Sequence, residues 1–220
     1  MNIQAIVFDL DGVITDTSYL HFIAWKELAE SLGIVIDEKF NECLKGVSRM
    51  GSLELILQHG GQENDYTPEE KEVLAAKKNA RYVELLQDII PKNVLPGILP
   101  FLEECHNNGI KTALASASKN APFILDKLEI SNHFDYVADA AKVAHSKPAP
   151  DIFLAAAEGL DVAPEFCLGV EDAAAGIQAI HAAGMKAVGI GGKKTLYEAD
   201  LLLADTGKLN LLSVLKNFTE

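Results

Sequence analysis

The stretch from Ile3 to Val13 constrains this chain more than any other. The apolar run Ile3-Gln4-Ala5-Ile6-Val7-Phe8 leads straight into Asp9-Leu10-Asp11-Gly12-Val13. A run of strand length with apolar residues on both faces fits a strand buried in a parallel sheet. The two-residue period of a strand puts Asp9 and Asp11 on the same side. Two carboxylates placed so closely repel each other unless a cation or a shared proton relieves them. Taken alone, an Asx-type turn at the strand end is the simpler account. The rest of the chain decides between the two.

A chain of 220 residues can bury a good core, as one large domain or one domain with a smaller companion. A formal net charge of −13 excludes nucleic acid and anionic membrane as expected partners, because both need a basic surface. An anionic substrate would therefore require some of the 19 Lys and Arg residues to gather at one place. Cys43, Cys105 and Cys167 are odd in number and form no CxxC pair, so three buried thiols in a reducing compartment are expected. The first strand begins almost at the N-terminus, which leaves no room for a signal peptide. No run reaches transmembrane length. A cytoplasmic location and a monomer are the expectations.

Along the chain the pattern is first helical. Thr15-Asp16-Thr17 offers caps for a helix reaching Leu32, with Gly33 as its stop. Shorter helices fit 37–44 and 48–58. Thr67-Pro68-Glu69-Glu70 combines a cap, a proline and a glutamate at the first turn of a long helix ending near Leu86. No strand is expected between residues 16 and 90. After Pro91, Pro96 and Gly97 the pattern alternates: helices near 98–108, 121–129, 150–159 and 173–183 separate apolar runs at 110–115, 134–138, 166–170, 187–190 and 201–204. Alternation of this kind implies α/β architecture with a doubly wound parallel sheet and an inserted all-helical cap. The expected division is a catalytic core of 1–15 and 91–220, with the cap at 16–90.

Ligands of open parallel sheets bind beyond the carboxyl ends of the strands. Four polar clusters fall there. Asp9 and Asp11 follow the first strand, Ser116-Ala117-Ser118-Lys119-Asn120 the second, Lys147 the third, and Glu171-Asp172 the fourth. The four acids are hard oxygen ligands suited to Mg²⁺. Glu171-Asp172 alone fits a helix N-terminus as well. The serine loop can form an anion nest, or simply cap a helix. Lys147, ahead of Pro148, can neutralise a phosphoryl oxygen. Together the clusters suit phosphoryl transfer, whose loose transition state needs positioning and charge neutralisation. Asp9, nearer the strand end, is the better-fixed nucleophile. Asp11 can swing toward a hydroxyl as general acid and base. In the insert, Lys45-Gly46-Val47-Ser48-Arg49 offers two cations beside a glycine. It reads both as a helix stop and start and as a second phosphate site. His21 and Trp25 share a helix face and fit core packing as well as ligand binding.

These motifs resemble the haloacid dehalogenase superfamily of phosphotransferases. The resemblance rests on Phe8-Asp9-Leu10-Asp11-Gly12-Val13, Ser116-Ala117-Ser118, Lys147-Pro148-Ala149-Pro150-Asp151 and Gly169-Val170-Glu171-Asp172, which span the chain in order. Leu44 to Arg49 and Leu114 to Asn120 are similar to the sugar-phosphomutase branch. The resemblance implies Asp9 as nucleophile and Mg²⁺ ligand, and Asp11 as acid/base and as a ligand through its backbone. Glu171 and Asp172 would complete the metal site, and Ser116 and Lys147 would hold the transferring group. Thr17, His21, Trp25, Lys45 to Arg49, Ser52, Lys78 and Ala117 to Asn120 would contact a sugar phosphate or its bisphosphate. The implied reaction converts β-glucose 1-phosphate to glucose 6-phosphate. The alternatives are a sugar-phosphate phosphatase and, from another class, a non-enzymatic receiver module whose aspartate is phosphorylated as a signal. Two residues depart from the pattern: Ala173 stands where many relatives carry a hydroxyl, and Gly51 sits in the first turn of a helix.

Overall fold

The computed structural model describes residues 2–218. Six parallel strands run in the order β3-β2-β1-β4-β5-β6. They are β1 (Ala5–Phe8), β2 (Lys111–Leu114), β3 (Tyr136–Val137), β4 (Cys167–Glu171), β5 (Lys186–Ile190) and β6 (Leu201–Leu203). β1 lies at the centre, with Phe8 in register with Leu114 on one side and Val170 on the other. All four of its residues are fully buried, as the unbroken apolar run requires. Alternation along it feeds two layers. Ile6 and Phe8 enter a core shared with Phe101, Ile124 and Val214, while Ala5 and Val7 pack with Phe153, Ile177 and Ile180.

The insert after β1 holds four helices, α1 (Ser18–Ser31), α2 (Glu38–Asn41), α3 (Arg49–His59) and α4 (Pro68–Leu85). They bury a third cluster of their own around Trp25, Leu28, Leu53, Ile56 and Leu57. α4 begins with the reciprocal Thr67–Glu70 capping box that its sequence announces. Its last turns join the sheet-side core through Tyr82. The two crossings into and out of this helical unit are stitched together. Thr15 Oγ1 donates to the Asn93 carbonyl at 2.9 Å, and Leu95 N donates to the Ile14 carbonyl at 2.9 Å. Helices α5 (Ile98–Asn107), α6 (Ala121–Lys127), α7 (Asp151–Gly159), α8 (Ala174–Ala182) and α9 (Leu211–Lys216) complete the layers.

Three expectations need correcting. Cys43 is exposed, whereas Cys105 and Cys167 are buried thiols. α9 has no counterpart in the sequence reading, although Asn210 caps it by accepting from Ser213 N at 3.0 Å. Gly51 is no weak point in α3: a Cβ there would lie 2.8 Å from Val47 Cγ1, so the glycine lets the preceding loop fold back onto the helix. Among the described residues, no helix is long and apolar enough to cross a membrane.

Candidate active site

β1 ends at Phe8, and the next residue is held where it emerges. Asp9 N donates to the Val170 carbonyl at 2.9 Å, extending the β1–β4 pairing by one residue. Its buried carboxylate accepts from Lys147 Nζ at 2.5 Å. Lys147 precedes α7, and its Nζ also donates to Glu171 Oε2 at 2.8 Å and lies 4.9 Å from the Phe153 ring centroid. Burial lowers the pKa of this ammonium, but the Asp9 and Glu171 carboxylates outweigh it and the net shift is upward. The other Glu171 oxygen accepts from the backbone N–H groups of Asp172 and Ala173, each at 3.1 Å. Ala173 thus contributes its backbone to the site.

Asp9, Glu171 and Asp172 each present a carboxylate oxygen within 4.8 Å of the others. Burial, and next the Asp9 charge, lift Glu171 to about 8 and Asp172 to about 7. Such crowding is what a hard cation relieves. The donor set fits Mg²⁺: all oxygens, with Asp172 and Asp9 Oδ2 accepting no hydrogen bond among the described residues. Two glycines keep the space open. At Gly12 (φ +76°) a Cβ would overlap the Asp172 carboxylate, and at Gly176 it would overlap that of Glu171.

Asp11 stands apart from this group. Its carboxylate accepts from the Thr17 hydroxyl, so Thr17 ties to Asp11 and does not cap α1 as its position in the sequence indicated. Burial, and then Asp9, raise the Asp11 carboxyl to about 8, which leaves it protonated at neutral pH. Over it lies α4. Lys78 Nζ sits 4.6 Å from the Trp25 ring and 4.7 Å from the Tyr82 ring, and donates to His21 Nδ1 at 2.6 Å. Burial lowers Lys78 to about 7 and holds His21 neutral, well below its ordinary value. The His21 ring stacks on Tyr82 with centroids 3.8 Å apart. The buried Tyr82 hydroxyl lies beside Thr17 without a well-formed hydrogen bond.

A cavity of about 820 Å³ opens between the strand ends and the inserted helices. Asp9, Asp11, Lys147, Asp172 and Ser116 to Lys119 line it from the sheet side. His21, Trp25, Lys45 to Arg49, Ser52 and Lys78 line it from above. Three expected residues do not line it: Thr17 and Glu171 act beneath their neighbours, and Asn120 bonds Asn79. Neither Ser116 nor Ser118 caps a helix, since α6 begins at Ala121 with Asn120 at its cap position. Instead Ser116 Oγ accepts from Ser118 N at 3.1 Å and Ser118 Oγ from Asn120 N at 3.3 Å, two successive hydroxyl turns. Ser48 caps α3 by accepting from Gly51 N at 3.2 Å. Arg49, half-buried, has no hydrogen-bond or ion-pair partner among the described residues, whereas Lys45 pairs with Glu42 at 3.0 Å. Sequence reading missed Tyr82, Asn79 and the wall of residues 140–146, because their roles depend on which helix packs over which loop.

Comparison with known proteins places this geometry. The Bacillus subtilis protein "Beta-phosphoglucomutase" is 49% identical over 208 residues, covering 94% of this chain and 92% of its own. A crystal structure of beta-phosphoglucomutase from Clostridium difficile superposes with a TM-score of 0.97 at 48% identity, covering 98% of this chain and 97% of that one. A Thermotoga maritima "Phosphorylated carbohydrates phosphatase" is 30% identical over 84% of this chain and 83% of its own. The family profile "haloacid dehalogenase-like hydrolase" matches residues 3–184, and the chain belongs to that family.

Proposed function

We infer that this chain is a phosphomutase interconverting β-glucose 1-phosphate and glucose 6-phosphate through a β-glucose 1,6-bisphosphate. The observation that carries the reading is near full-length identity of 49% to the Bacillus subtilis β-phosphoglucomutase, which extends through the inserted helices and not only the strand-end motifs. In this reading residues 1–15 and 91–220 are the catalytic core and 16–90 the cap.

Asp9 carries the phosphoryl group as an acyl phosphate, and Lys147 holds it and the incoming phosphoryl oxygens in place. Asp11, protonated at neutral pH, gives its proton to one sugar oxygen and takes one from the other as the bisphosphate turns over. Ser116, at the head of the hydroxyl-turn loop, binds the transferring group. Arg49, with Lys45 and Lys119, binds the distal phosphate. Lys78, His21 and Trp25 meet the sugar where cap and core join. Asp9, Asp172 and the Asp11 carbonyl would hold Mg²⁺, with Glu171 beside them. When bound, the ion supplies charge neutralisation at the transferring phosphoryl. The cap excludes water from phospho-Asp9, without which the enzyme would be a phosphatase.

The test is a steady-state assay with β-glucose 1-phosphate, Mg²⁺ and trace bisphosphate, reading glucose 6-phosphate and inorganic phosphate together. Glucose 6-phosphate in large excess supports the mutase. Phosphate release without isomerisation would establish instead the phosphatase that the Thermotoga maritima relative is named for. The absence of any turnover would favour the receiver module.

A further inference from the structure

Beside the apolar packing of Ala24, Tyr82 and Leu86 against the sheet-side core, two hydrogen bonds between side chains join the helical insert to the sheet-bearing part of the chain among the described residues: Thr17 to Asp11, and Asn120 to Asn79. They are unlike in position. Thr17 stands six residues from Asp11, just beyond the stitched crossings at Thr15 and Asn93, so that bond is local to the junction of insert and sheet. Asn120 Nδ2 donates to Asn79 Oδ1 at 2.9 Å across a separation of 41 residues, from the loop after β2 to the middle of α4. That bond exists only while α4 lies against the rim.

Its two ends are both tied to the site. Asn79 follows Lys78, whose ammonium is caged between Trp25 and Tyr82 over the cavity. Asn120 is the last residue of the hydroxyl-turn loop, its N–H held by Ser118 and that of Ser118 held by Ser116. A continuous series of hydrogen bonds therefore runs from α4 into the loop that faces Asp9.

We propose that Asn79 is a positioning residue, a latch whose carboxamide holds α4 on the phosphate-binding loop and so limits the access of water to phospho-Asp9. The inference rests on the mutase reading above. The reaction the latch suppresses is hydrolysis. A water oxygen bonds to phosphorus as the bond from phosphorus to the Asp9 oxygen breaks, Asp9 leaves as a carboxylate, and the water proton passes to bulk solvent. Nothing in the Asn79 contact serves the chemistry of transfer itself, so its loss should shift the partition of the phosphoenzyme rather than abolish turnover.

The experiment compares wild type, Asn79→Ala, Asn120→Ala and the double variant in β-glucose 1-phosphate with Mg²⁺ and bisphosphate primer, reading inorganic phosphate released per glucose 6-phosphate formed. Alanine is favourable at this half-exposed helix position, so folding is preserved; thermal melts check it. Asn79→Ala should raise the ratio about fivefold, the scale of one neutral hydrogen bond. The double variant should exceed neither single variant, because both remove the same bond. A ratio unmoved by Asn79→Ala, or a double variant whose effect is the product of the two, overturns the latch while the mutase reading stands. A wild-type enzyme that forms no glucose 6-phosphate overturns both.

Discussion

At the scale of single residues, the site is governed by burial acting on charge. Asp11 is lifted to about 8 by its enclosure and by Asp9, so it holds a proton where a free aspartate would not. Asp11→Asn keeps the shape and loses the proton. Single-turnover transfer from phospho-Asp9 to β-glucose 1-phosphate should fall by about 10² to 10⁴, the usual range for general acid–base catalysis. Transfer at the wild-type rate would remove Asp11 from that role. Lys78 shows the converse shift. Burial, and then Arg49, lower it to about 7 from 10.5. Between these values the unfolded chain binds a proton that the folded chain does not, so Lys78 makes stability rise with pH across that window. A Lys78→Met variant should therefore be more stable than wild type near pH 7, with the advantage shrinking toward pH 10. Denaturant melts at the two ends of the window measure it, and a constant difference contradicts the shift. Asp9, Asp11 and Lys147 were legible in sequence because each stands at a strand end or ahead of a helix. The bonds of Thr17 and Asn79 were not, since no local pattern records which helix lies over which loop.

At the scale of elements, the glycines of α8 and of the Asp9–Val13 turn matter more than propensity. Gly176 lies in the first turn of α8 beneath Glu171, and a Cβ would displace the oxygen that holds Lys147. Gly176→Ala should leave the helix intact, alanine being the better helix former. Activity should drop about a hundredfold, the scale of a ~1 Å misplacement of a catalytic group. Circular dichroism and kcat/KM read the two effects separately, and unimpaired activity would mean that Glu171 does not position Lys147. Elements with strong local signals were readable: the Thr67 capping box foretold α4 and the apolar run foretold β1. The run at 134–138 foretold β3, although the strand itself spans only Tyr136–Val137; α9 spans six residues, too short for periodicity to stand out.

At the scale of the molecule, charge is sorted. The chain carries a formal −13, yet Lys45, Arg49, Lys78, Lys119 and Lys147 all line one cavity. This is the local concentration that an anionic substrate demands of an acidic protein. The crowded carboxylates of Asp9, Glu171 and Asp172 on the sheet side predict that Mg²⁺ binds the folded chain and stabilises it. At a hundredfold excess over Kd the gain is about 2.7 kcal/mol by mass action. Thermal melts with chelator and with Mg²⁺ test this, and Asp172→Ala should abolish the difference. An unchanged melting temperature in both states would refute the metal site. The doubly wound sheet and its helical insert were legible from the order of elements. Arg49, half-buried and without a hydrogen-bond or ion-pair partner among the described residues, is the cation left free for a distal phosphate.

The central claim is that a phosphoryl group resides on Asp9 and passes to a sugar rather than to water. Enzyme labelled with [³²P]-bisphosphate and then divided between buffer and β-glucose 1-phosphate tests it in one step. The account predicts that label maps to the peptide carrying Asp9, persists in buffer, and moves to sugar bisphosphate when β-glucose 1-phosphate is added. Label on any other residue, or its release as inorganic phosphate in the presence of the sugar, would contradict it.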